Sequence, residues 1–425
     1  MGFLSNIFQK SPQAQLEYNS AIALDIGTEF VKSLIFKVEG REGVVLGVGR
    51  QRQRLSDMQG GAVTDISGVI ENAEKSLEQA AAQAGFLPEQ VIMGIAGELV
   101  KGTTTTIRYL REKPVTKITY EELKEIIAKV QRRAFERARS VLAFETGLSE
   151  IEVRLVNAAV VDVRIDGYKV TNPLGFQGKE VVVGVFNAFA PIVHLGALQT
   201  IASSLELDLL AIAAEPYAVA RAVSEEKATD FSVITMDIGG GTTDVAVVSQ
   251  GGVAGTKMFA LGGRAFTKRL AQVFGVSFEE AEELKLKYSR DELAETRQKK
   301  VVEVLAVDCD VWFSGVELTL EELQTTSKLE LLPSRILLCG GGSSLPEIAG
   351  VLRQKSFSRK LPFAKKPVVQ FIQPADVAKI HDQTEKLTEP ADITPLCLAN
   401  LSLDLVGKPS LMDSLLKSIV QSLKS

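Results

Sequence analysis

The stretch that decides the fold is 232–249, which reads Ser-Val-Ile-Thr-Met-Asp-Ile-Gly-Gly-Gly-Thr-Thr-Asp-Val-Ala-Val-Val-Ser. It predicts a buried strand, a glycine turn at 239–241 and a second strand. Glycines lack a Cβ, so they permit positive φ and let backbone N–H groups approach an anion closely. Thr242 and Thr243 add hydroxyl donors, and Asp237 can hold a hydrated Mg²⁺, an ion that usually keeps several waters. We interpret the stretch as a β-hairpin that binds phosphate.

The same pattern occurs near the start of the chain. Residues 21–28 read Ala-Ile-Ala-Leu-Asp-Ile-Gly-Thr, with Asp25 before the glycine and Lys32 in the following strand. A third glycine turn, Gly-Gly-Gly-Ser-Ser at 340–344, follows another apolar strand and opens a helix. An ordinary hairpin needs neither three glycines nor an acid before them. Three such motifs in this order favour a nucleotide site over coincidence.

This arrangement resembles the actin superfamily, in which two related domains close on ATP. The resemblance implies that the hairpins hold the phosphates, that the third turn touches the adenosine, and that Asp25 and Asp237 hold Mg²⁺ through water. Glu282 and Lys285 lie three residues apart in a stretch similar to the nucleoside-contacting helix, although an ordinary surface ion pair is the alternative. The implied nucleotide-binding residues are Asp25, Gly27, Thr28, Lys32, Asp237, Gly239, Gly240, Gly241, Thr242, Thr243, Glu282, Lys285, Gly340, Gly341, Gly342 and Ser343.

The composition narrows the possible classes of protein. The 425 residues suffice for two or more domains with cores, and 45% hydrophobic and 24% charged residues are normal for a globular protein. A net charge of −5 gives no indication of nucleic-acid binding. The three scattered cysteines predict reduced core residues, and two histidines are too few for a histidine-cluster metal site. No apolar run approaches the roughly 18 residues of a spanning helix.

A second resemblance narrows the superfamily to one family. The segments Val-Asn-Ala-Ala-Val-Val-Asp at 156–162 and Asn-Pro-Leu-Gly-Phe-Gln-Gly at 172–178, followed by the strand 181–183, look like the inserted subdomain of the bacterial cell-division family FtsA. Gly-Gly-Ala-Val-Thr-Asp-Ile at 60–66 is also similar to that family. The related pilus-assembly family PilM shares the insertion. The insertion therefore separates these two families from actin, chaperones and sugar kinases better than from each other.

The C-terminal segment 410–425 predicts an amphipathic helix after a Gly-Lys-Pro linker. It resembles the membrane-targeting helix of FtsA, which lies in the membrane interface. It has only two lysines and no Trp or Phe, so attraction to anionic lipid is slight. Docking on the body of the protein or on another chain is the alternative. The predicted membrane-facing residues are Leu411, Met412, Leu415, Leu416, Ile419, Val420 and Leu423.

The resemblance implies an α/β, actin-like (ribonuclease H-like) two-domain ATPase fold with an inserted α+β subdomain. The expected divisions are an N-terminal extension 1–17, a first domain 18–96 with 191–214 and 365–404, the inserted subdomain 97–190, a second domain 215–259 with 330–364, its subdomain 260–329, and a linker and terminal helix 405–425.

The family also implies a function. ATP and Mg²⁺ would act as a conformational and assembly switch, in a filament on the inner face of the cytoplasmic membrane at the division septum. The implied partners are the FtsZ C-terminal tail, bound at roughly 260–330, the protein itself and other division proteins, with no nucleic acid. Glu215, at a strand–helix connection, is the candidate for positioning the attacking water. It can equally be an acid favoured by a helix dipole, so we expect at most slow ATPase activity.

Two other functions stay open. A PilM-like adaptor of type IV pilus assembly would share the fold, and lipid binding would distinguish it from FtsA. A small-molecule kinase of the same superfamily would need a catalytic acid in a sugar-sized cleft, and 97–190 does not resemble such a domain.

Overall fold

The computed structural model describes residues 19–97, 100–147, 152–224, 231–354, 357, 361–406 and 416. Its strands form two large sheets and one small hairpin. The strands are β1 (Ser20–Ile26), β2 (Phe30–Glu39), β3 (Glu42–Arg52), β4 (Met58–Gln59), β5 (Ala62–Val63), β6 (Gln90–Ile95), β7 (Lys101–Leu110), β8 (Val153–Ile165), β9 (Tyr168–Lys169), β10 (Glu180–Pro191), β11 (Asp208–Ala214), β12 (Val233–Ile238), β13 (Thr243–Ser249), β14 (Gly252–Phe259), β15 (Arg335–Cys339), β16 (Val368–Phe371) and β17 (Ile380–Asp382).

Helices cover the two large sheets. In the described part of the chain the α-helices are α1 (Ile66–Ala84), α2 (Tyr120–Thr146), α3 (Ile192–Ser204), α4 (Glu215–Ser224), α5 (Gly263–Phe274), α6 (Phe278–Ser289), α7 (Glu295–Thr326), α8 (Pro346–Gln354) and α9 (Ile393–Val406). Within these residues, every helix is too short or too polar to cross a membrane.

Lobe I, as we call the part around the first sheet, has six strands in the order β11-β6-β1-β2-β3-β17. The strands β1, β2 and β3 are antiparallel neighbours, and β6 pairs with β1 in parallel. Every residue of β1 is buried, because β1 lies between β6 and β2 in the sheet and α9 packs on it. The helix α1 packs on β2 and β3, and it ends at Gly85, whose φ of +81° is the left-handed conformation that glycine favours.

Lobe II is built around the second sheet. This sheet has nine strands in the order β16-β15-β12-β13-β14-β7-β10-β8-β9. The strands β12, β13 and β14 are antiparallel neighbours, whereas β15 pairs with β12 in parallel. Apolar side chains of β12, β13 and β15 share a core with the helices α5 to α8, and this core contains the buried Trp312.

The inserted subdomain consists of β7 to β10 and α2. It lies between β6 and α3 of lobe I in the chain, yet its sheet continues that of lobe II. The junction between β14 and β7 comprises two residue pairs, Gly255 with Thr103 and Thr256 with Gly102. The helix α2 begins where the Thr119 hydroxyl accepts a hydrogen bond from the Glu122 N–H, at 3.3 Å.

One expected domain division needs correction. The sequence assigned 365–404 to the first domain and ended the second at 364. The strand β16 instead pairs in parallel with β15, so it belongs to the sheet of lobe II. The chain returns to lobe I only afterwards, where β17 pairs with β3. The partner of an edge strand is distant in the sequence, so the four residues of β16 do not by themselves predict which sheet it joins.

Candidate functional site

The first glycine turn joins β1 to β2. The Gly27 N–H donates to the Phe30 carbonyl at 3.1 Å. Asp25 and Lys32 are cross-strand partners below this turn, and the Lys32 Nζ lies 3.0 Å from the Asp25 Oδ2. Lys32 also donates to the Ala391 carbonyl at 2.7 Å. Burial by itself would lower the pKa of Lys32, but the charge and hydrogen bond of Asp25 outweigh it and raise the pKa above its ordinary value, so the lysine stays charged.

The second glycine turn joins β12 to β13. Asp237 and Asp244 face each other across the base of this hairpin as a register pair, and both are buried. The Thr394 hydroxyl, at the start of α9, donates to Asp237. The Thr242 hydroxyl donates to the Asp244 Oδ2 at 3.2 Å. Asp244 is a site residue that the sequence analysis missed, although its position opposite Asp237 follows from the hairpin register.

The two turns contact each other across the gap between the lobes. A Cβ added to Gly240 would lie 2.8 Å from the Cβ of Glu29, and one added to Gly241 would lie 2.7 Å from the Thr28 hydroxyl oxygen. These glycines therefore allow a close approach that any side chain would prevent. The structure therefore brings both acidic turns into one site, which is necessary if the two hairpins bind one ligand between them.

Four carboxyl groups are buried close to one another at the site, those of Asp25, Glu215, Asp237 and Asp244, and Lys32 lies among them. Burial raises the pKa of Asp237, and it raises the pKa of Asp244 well above its usual range, with the charge of Asp237 adding to the effect. Burial also raises the pKa of Glu215 well above its usual range, and the three aspartates add to this shift while Lys32 opposes it. The free site therefore holds more acid than its cation can balance.

This set of side chains fits a hydrated Mg²⁺. The Glu215 Oε1 and the Asp244 Oδ1 are buried and have no hydrogen-bond partner in the described structure. Waters held by Mg²⁺ are strong donors that would satisfy such acceptors. In the described residues, no three acids, cysteines or histidines lie close enough to ligate an ion directly, so the fit is through water.

The third glycine turn follows β15 and abuts the second. Gly340 has a φ of +82°, and a Cβ there would overlap the Asp237 carboxylate. Gly341 and Gly342 continue into a short 3₁₀ turn, Gly341–Ser344, ahead of α8. The Ser343 hydroxyl donates to the Gly340 carbonyl at 2.7 Å and is buried, so it stabilises the turn itself.

Glu282 and Lys285 form a buried pair behind the second turn. The Lys285 Nζ lies 2.7 Å from the Glu282 Oε2 and donates to the Gly263 carbonyl at 3.1 Å. Gly263 in turn donates its N–H to the Gly239 carbonyl at 2.9 Å. Both side chains of the pair are buried, so this is not an ordinary surface ion pair. Through Gly263, the pair supports the second glycine turn.

The Thr243 hydroxyl both donates and accepts a hydrogen bond inside lobe II. It donates to the Leu261 carbonyl at 2.7 Å and accepts from the Trp312 Nε1 at 2.9 Å. Alternation along β13 puts it on the opposite face from Asp244. Its hydroxyl is therefore not available to a phosphate in this structure.

The predicted membrane-facing residues lie outside the described residues, with one exception. Leu416 is 3% exposed and belongs to the hydrophobic cluster of the inserted subdomain, together with residues of α2 and β10. At this position the tail is buried against protein, the alternative left open by the sequence.

Comparison with known proteins shows similarity to FtsA cell division proteins. A family model described as cell division protein FtsA matches residues 234–394, which include the second and third glycine turns. A model of hydantoinase/oxoprolinase proteins matches 190–272. Cell division protein FtsA of Pseudomonas aeruginosa is 25% identical over 347 residues, covering 76% of this chain and 78% of that protein. The chain is thus similar to FtsA proteins over about three quarters of its length.

Two further relatives and one solved structure are also similar to the chain. The FtsA proteins of Enterococcus faecalis and Bacillus subtilis are 23% and 24% identical to it, over 78% and 77% of this chain and 76% and 74% of theirs. Among solved structures, a PilM–PilN type IV pilus biogenesis complex matches with a TM-score of 0.62 at 18% identity, covering 90% of this chain and 98% of that one. The predicted actin-like α/β fold is thereby confirmed.

Proposed function

We propose that this FtsA-like protein binds ATP·Mg²⁺ between its lobes, polymerises on the inner face of the cytoplasmic membrane and tethers FtsZ filaments at the division site. The observation that carries the proposal is the contact between two acidic glycine turns, one from each lobe. The register pairs Asp25 with Lys32 and Asp237 with Asp244 lie directly below these turns. Such a site provides backbone donors for phosphate and acidic side chains for a metal.

Different residues of the site would contact different parts of ATP·Mg²⁺. The turns at Gly27 and at 239–241 would hold the phosphates, and Lys32 would neutralise part of their charge. Asp25 and Asp237 would hold Mg²⁺ through water, and the metal supplies charge neutralisation at the phosphates. The turn at 340–343 would contact the nucleoside, supported by the Glu282 and Lys285 pair.

The same geometry supports a switch function in place of rapid turnover. Each lobe contributes one turn, so a bound triphosphate contacts both and favours the arrangement in which they are close. Glu215 is the candidate that positions a water, but burial and the neighbouring aspartates raise its pKa, which disfavours the ionised form that a base needs. We therefore expect slow hydrolysis, with the nucleotide state controlling head-to-tail assembly.

A surface for the FtsZ tail is available on α7, within the predicted region 260–330. Val307, Val311 and Leu318 are 62%, 56% and 68% exposed. Spacings of four and seven residues put them on one stripe of the helix. An exposed apolar stripe of this kind fits an apolar segment of a partner. Leu318→Asp should therefore weaken binding of an FtsZ tail peptide without altering ATP binding.

Nucleotide binding by two site variants tests the proposal. Asp237→Ala removes a metal-facing acid, and Gly240→Val places a side chain where Glu29 lies. Both should lose ATP·Mg²⁺ binding in a calorimetric titration and should fail to co-pellet with FtsZ. Gly350→Val is the matched control, because Gly350 lies in α8 with no atom within 4 Å of an added Cβ. Unchanged ATP affinity in both site variants would refute the site.

A PilM-like adaptor role is the second candidate, favoured by the structural match to a PilM–PilN complex. Liposome flotation separates the two roles. The full-length chain should float and a chain ending at Asp404 should not, if the C-terminal helix binds lipid. If both stay in the soluble fraction, the adaptor role is favoured, and burial of Leu416 against the inserted subdomain describes the resting state of the tail.

A further inference from the structure

An ion pair crosses from one lobe to the other beside the two glycine turns. Glu29 lies at the tip of the first turn, and Arg264 is the second residue of α5, the helix that follows β14. The Arg264 Nε lies 2.7 Å from the Glu29 Oε2, and the two side chains are only 10% and 14% exposed. Partly buried pairs of this kind are screened less by salt than surface pairs. This contact therefore links the lobes at the phosphate turns.

The guanidinium of Arg264 is only partly satisfied. Its Nη1 donates to the Met58 carbonyl at a long 3.3 Å, while its buried Nη2 has no hydrogen-bond partner among the described residues. Leaving a buried charged donor unpaired is costly. Glu29, by contrast, uses both oxygens, because its Oε1 accepts from the Arg52 Nε at 2.8 Å. Arg264 thus retains a free donor.

The position of Arg264 relates this donor to the phosphate turns. Its backbone N–H donates to the Gly240 carbonyl at 2.7 Å, which fixes the start of α5 to the second turn. Across the gap, Gly240 packs against Glu29 itself. A phosphate held by both turns would therefore lie near the guanidinium and near the Glu29 carboxylate. The first contact is attractive and the second is repulsive.

We propose that Arg264 is a polyphosphate-binding residue and that Glu29 holds it in the nucleotide-free protein as an internal substitute for the anion. This inference rests on the proposed function and assigns to that site a residue outside the predicted glycine turns. Polyphosphate would take over the guanidinium from Glu29, so that the interlobe ion pair is exchanged for a ligand contact. Arginine suits this role because its planar fork binds phosphate oxygens in pairs.

The test compares affinities for ATP·Mg²⁺, ADP·Mg²⁺ and AMP in the full-length protein by calorimetry. Glu29→Gln removes the competitor and should tighten ATP about five-fold. Arg264→Gln should weaken ATP at least about ten-fold, and Arg264→Lys should lie between, because it keeps the charge and loses the fork. AMP affinity should change less than about two-fold in all three variants, since it has no polyphosphate.

A second arginine–acid pair on the same helix provides matched controls. Arg269 of α5 lies 2.9 Å from Asp308 of α7, and both residues belong to lobe II. Arg269→Gln and Asp308→Asn should leave ATP affinity within about two-fold of the wild type. Hydrogen exchange of the free protein gives an independent readout. Glu29→Gln should speed exchange in the two glycine turns, and Asp308→Asn should not.

The possible results separate this inference from the proposed function. If the wild type does not bind ATP, the proposed function fails and this inference fails with it. If the wild type binds ATP but the Glu29 and Arg264 variants match their controls, only this inference fails. Equal losses for ATP and AMP would likewise overturn it, because they would indicate a role in the fold or at the nucleoside.

Discussion

The four buried acids of the site predict how Glu215→Gln changes the pH dependence of stability. The folded-state pKa of Glu215 is raised by burial and by the neighbouring aspartates. A carboxyl group with a raised folded pKa favours folding below its unfolded pKa of about 4.3, and this contribution is lost as the pH rises through the folded value. The wild type should therefore lose stability with rising pH, and the glutamine variant should be spared this loss.

The expected magnitude follows from the orphaned oxygen. Above its pKa, Glu215 presents a buried charge whose Oε1 has no donor, a defect that costs on the order of 1–3 kcal/mol. In urea unfolding without Mg²⁺, the stability of Glu215→Gln relative to the wild type should rise with increasing pH, by up to about this amount. Added Mg²⁺ should shrink the difference, because its waters satisfy the same acceptor.

Glu295→Gln is the matched control for this experiment. Glu295 also lies in the first turn of a helix, but its side chain is 80% exposed. If Glu215 acts only through the helix dipole, the two substitutions should behave alike, each destabilising by about 0.3–1 kcal/mol. A stability of Glu215→Gln, relative to the wild type, that does not rise with pH would refute the account of the buried acid cluster.

Three further predictions concern other parts of the molecule. Gly340→Ala should lower the free energy of unfolding by about 1–3 kcal/mol and weaken ATP binding. Gly175→Ala, where φ is a similar +83° but the surrounding space is open, should lower only the stability. Equal ATP affinities of the two variants would contradict the tight packing of the third turn. Trp312, the only tryptophan of the sequence, donates a hydrogen bond to Thr243, so we expect its fluorescence to change when ATP binds. If Thr243→Val still binds ATP but loses this fluorescence change, the change depends on that hydrogen bond. Leu416→Asp should destabilise the full-length protein by about 1.5–3 kcal/mol in urea unfolding, and an unchanged midpoint would show that the tail is not docked in solution.

The sequence sufficed to predict the glycine turns because their signals are local. Acid, glycine run and hydroxyl residues are contiguous, and the flanking strands are apolar. Asp244 could have been found by the same reasoning, since a tight hairpin places it opposite Asp237. The alternation of β13 could also have shown that Thr243 and Asp244 face opposite ways.

The partners contributed from far along the chain could not be predicted in this way. Thr394 reaches Asp237 from 157 residues away, and the Ala391 carbonyl reaches Lys32 from 359 residues away. No local pattern marks either residue, because both contacts depend on how α9 packs between the lobes. The pair Glu29–Arg264 has the same origin, and so does the position of β16 at the edge of the second sheet.

The junction between β14 and β7 has a mechanical consequence. The inserted subdomain is covalently continuous with lobe I at both ends, yet its sheet pairs with that of lobe II at Gly255 and Thr256, and the Thr104 hydroxyl also donates to the Val253 carbonyl of lobe II at 2.6 Å. If one lobe moves away from the other, either these contacts with lobe II break or the inserted subdomain moves with lobe II. Lys169 of β9 also donates to the Gln250 carbonyl of lobe II at 3.2 Å, so the displacement would reach this distant contact as well.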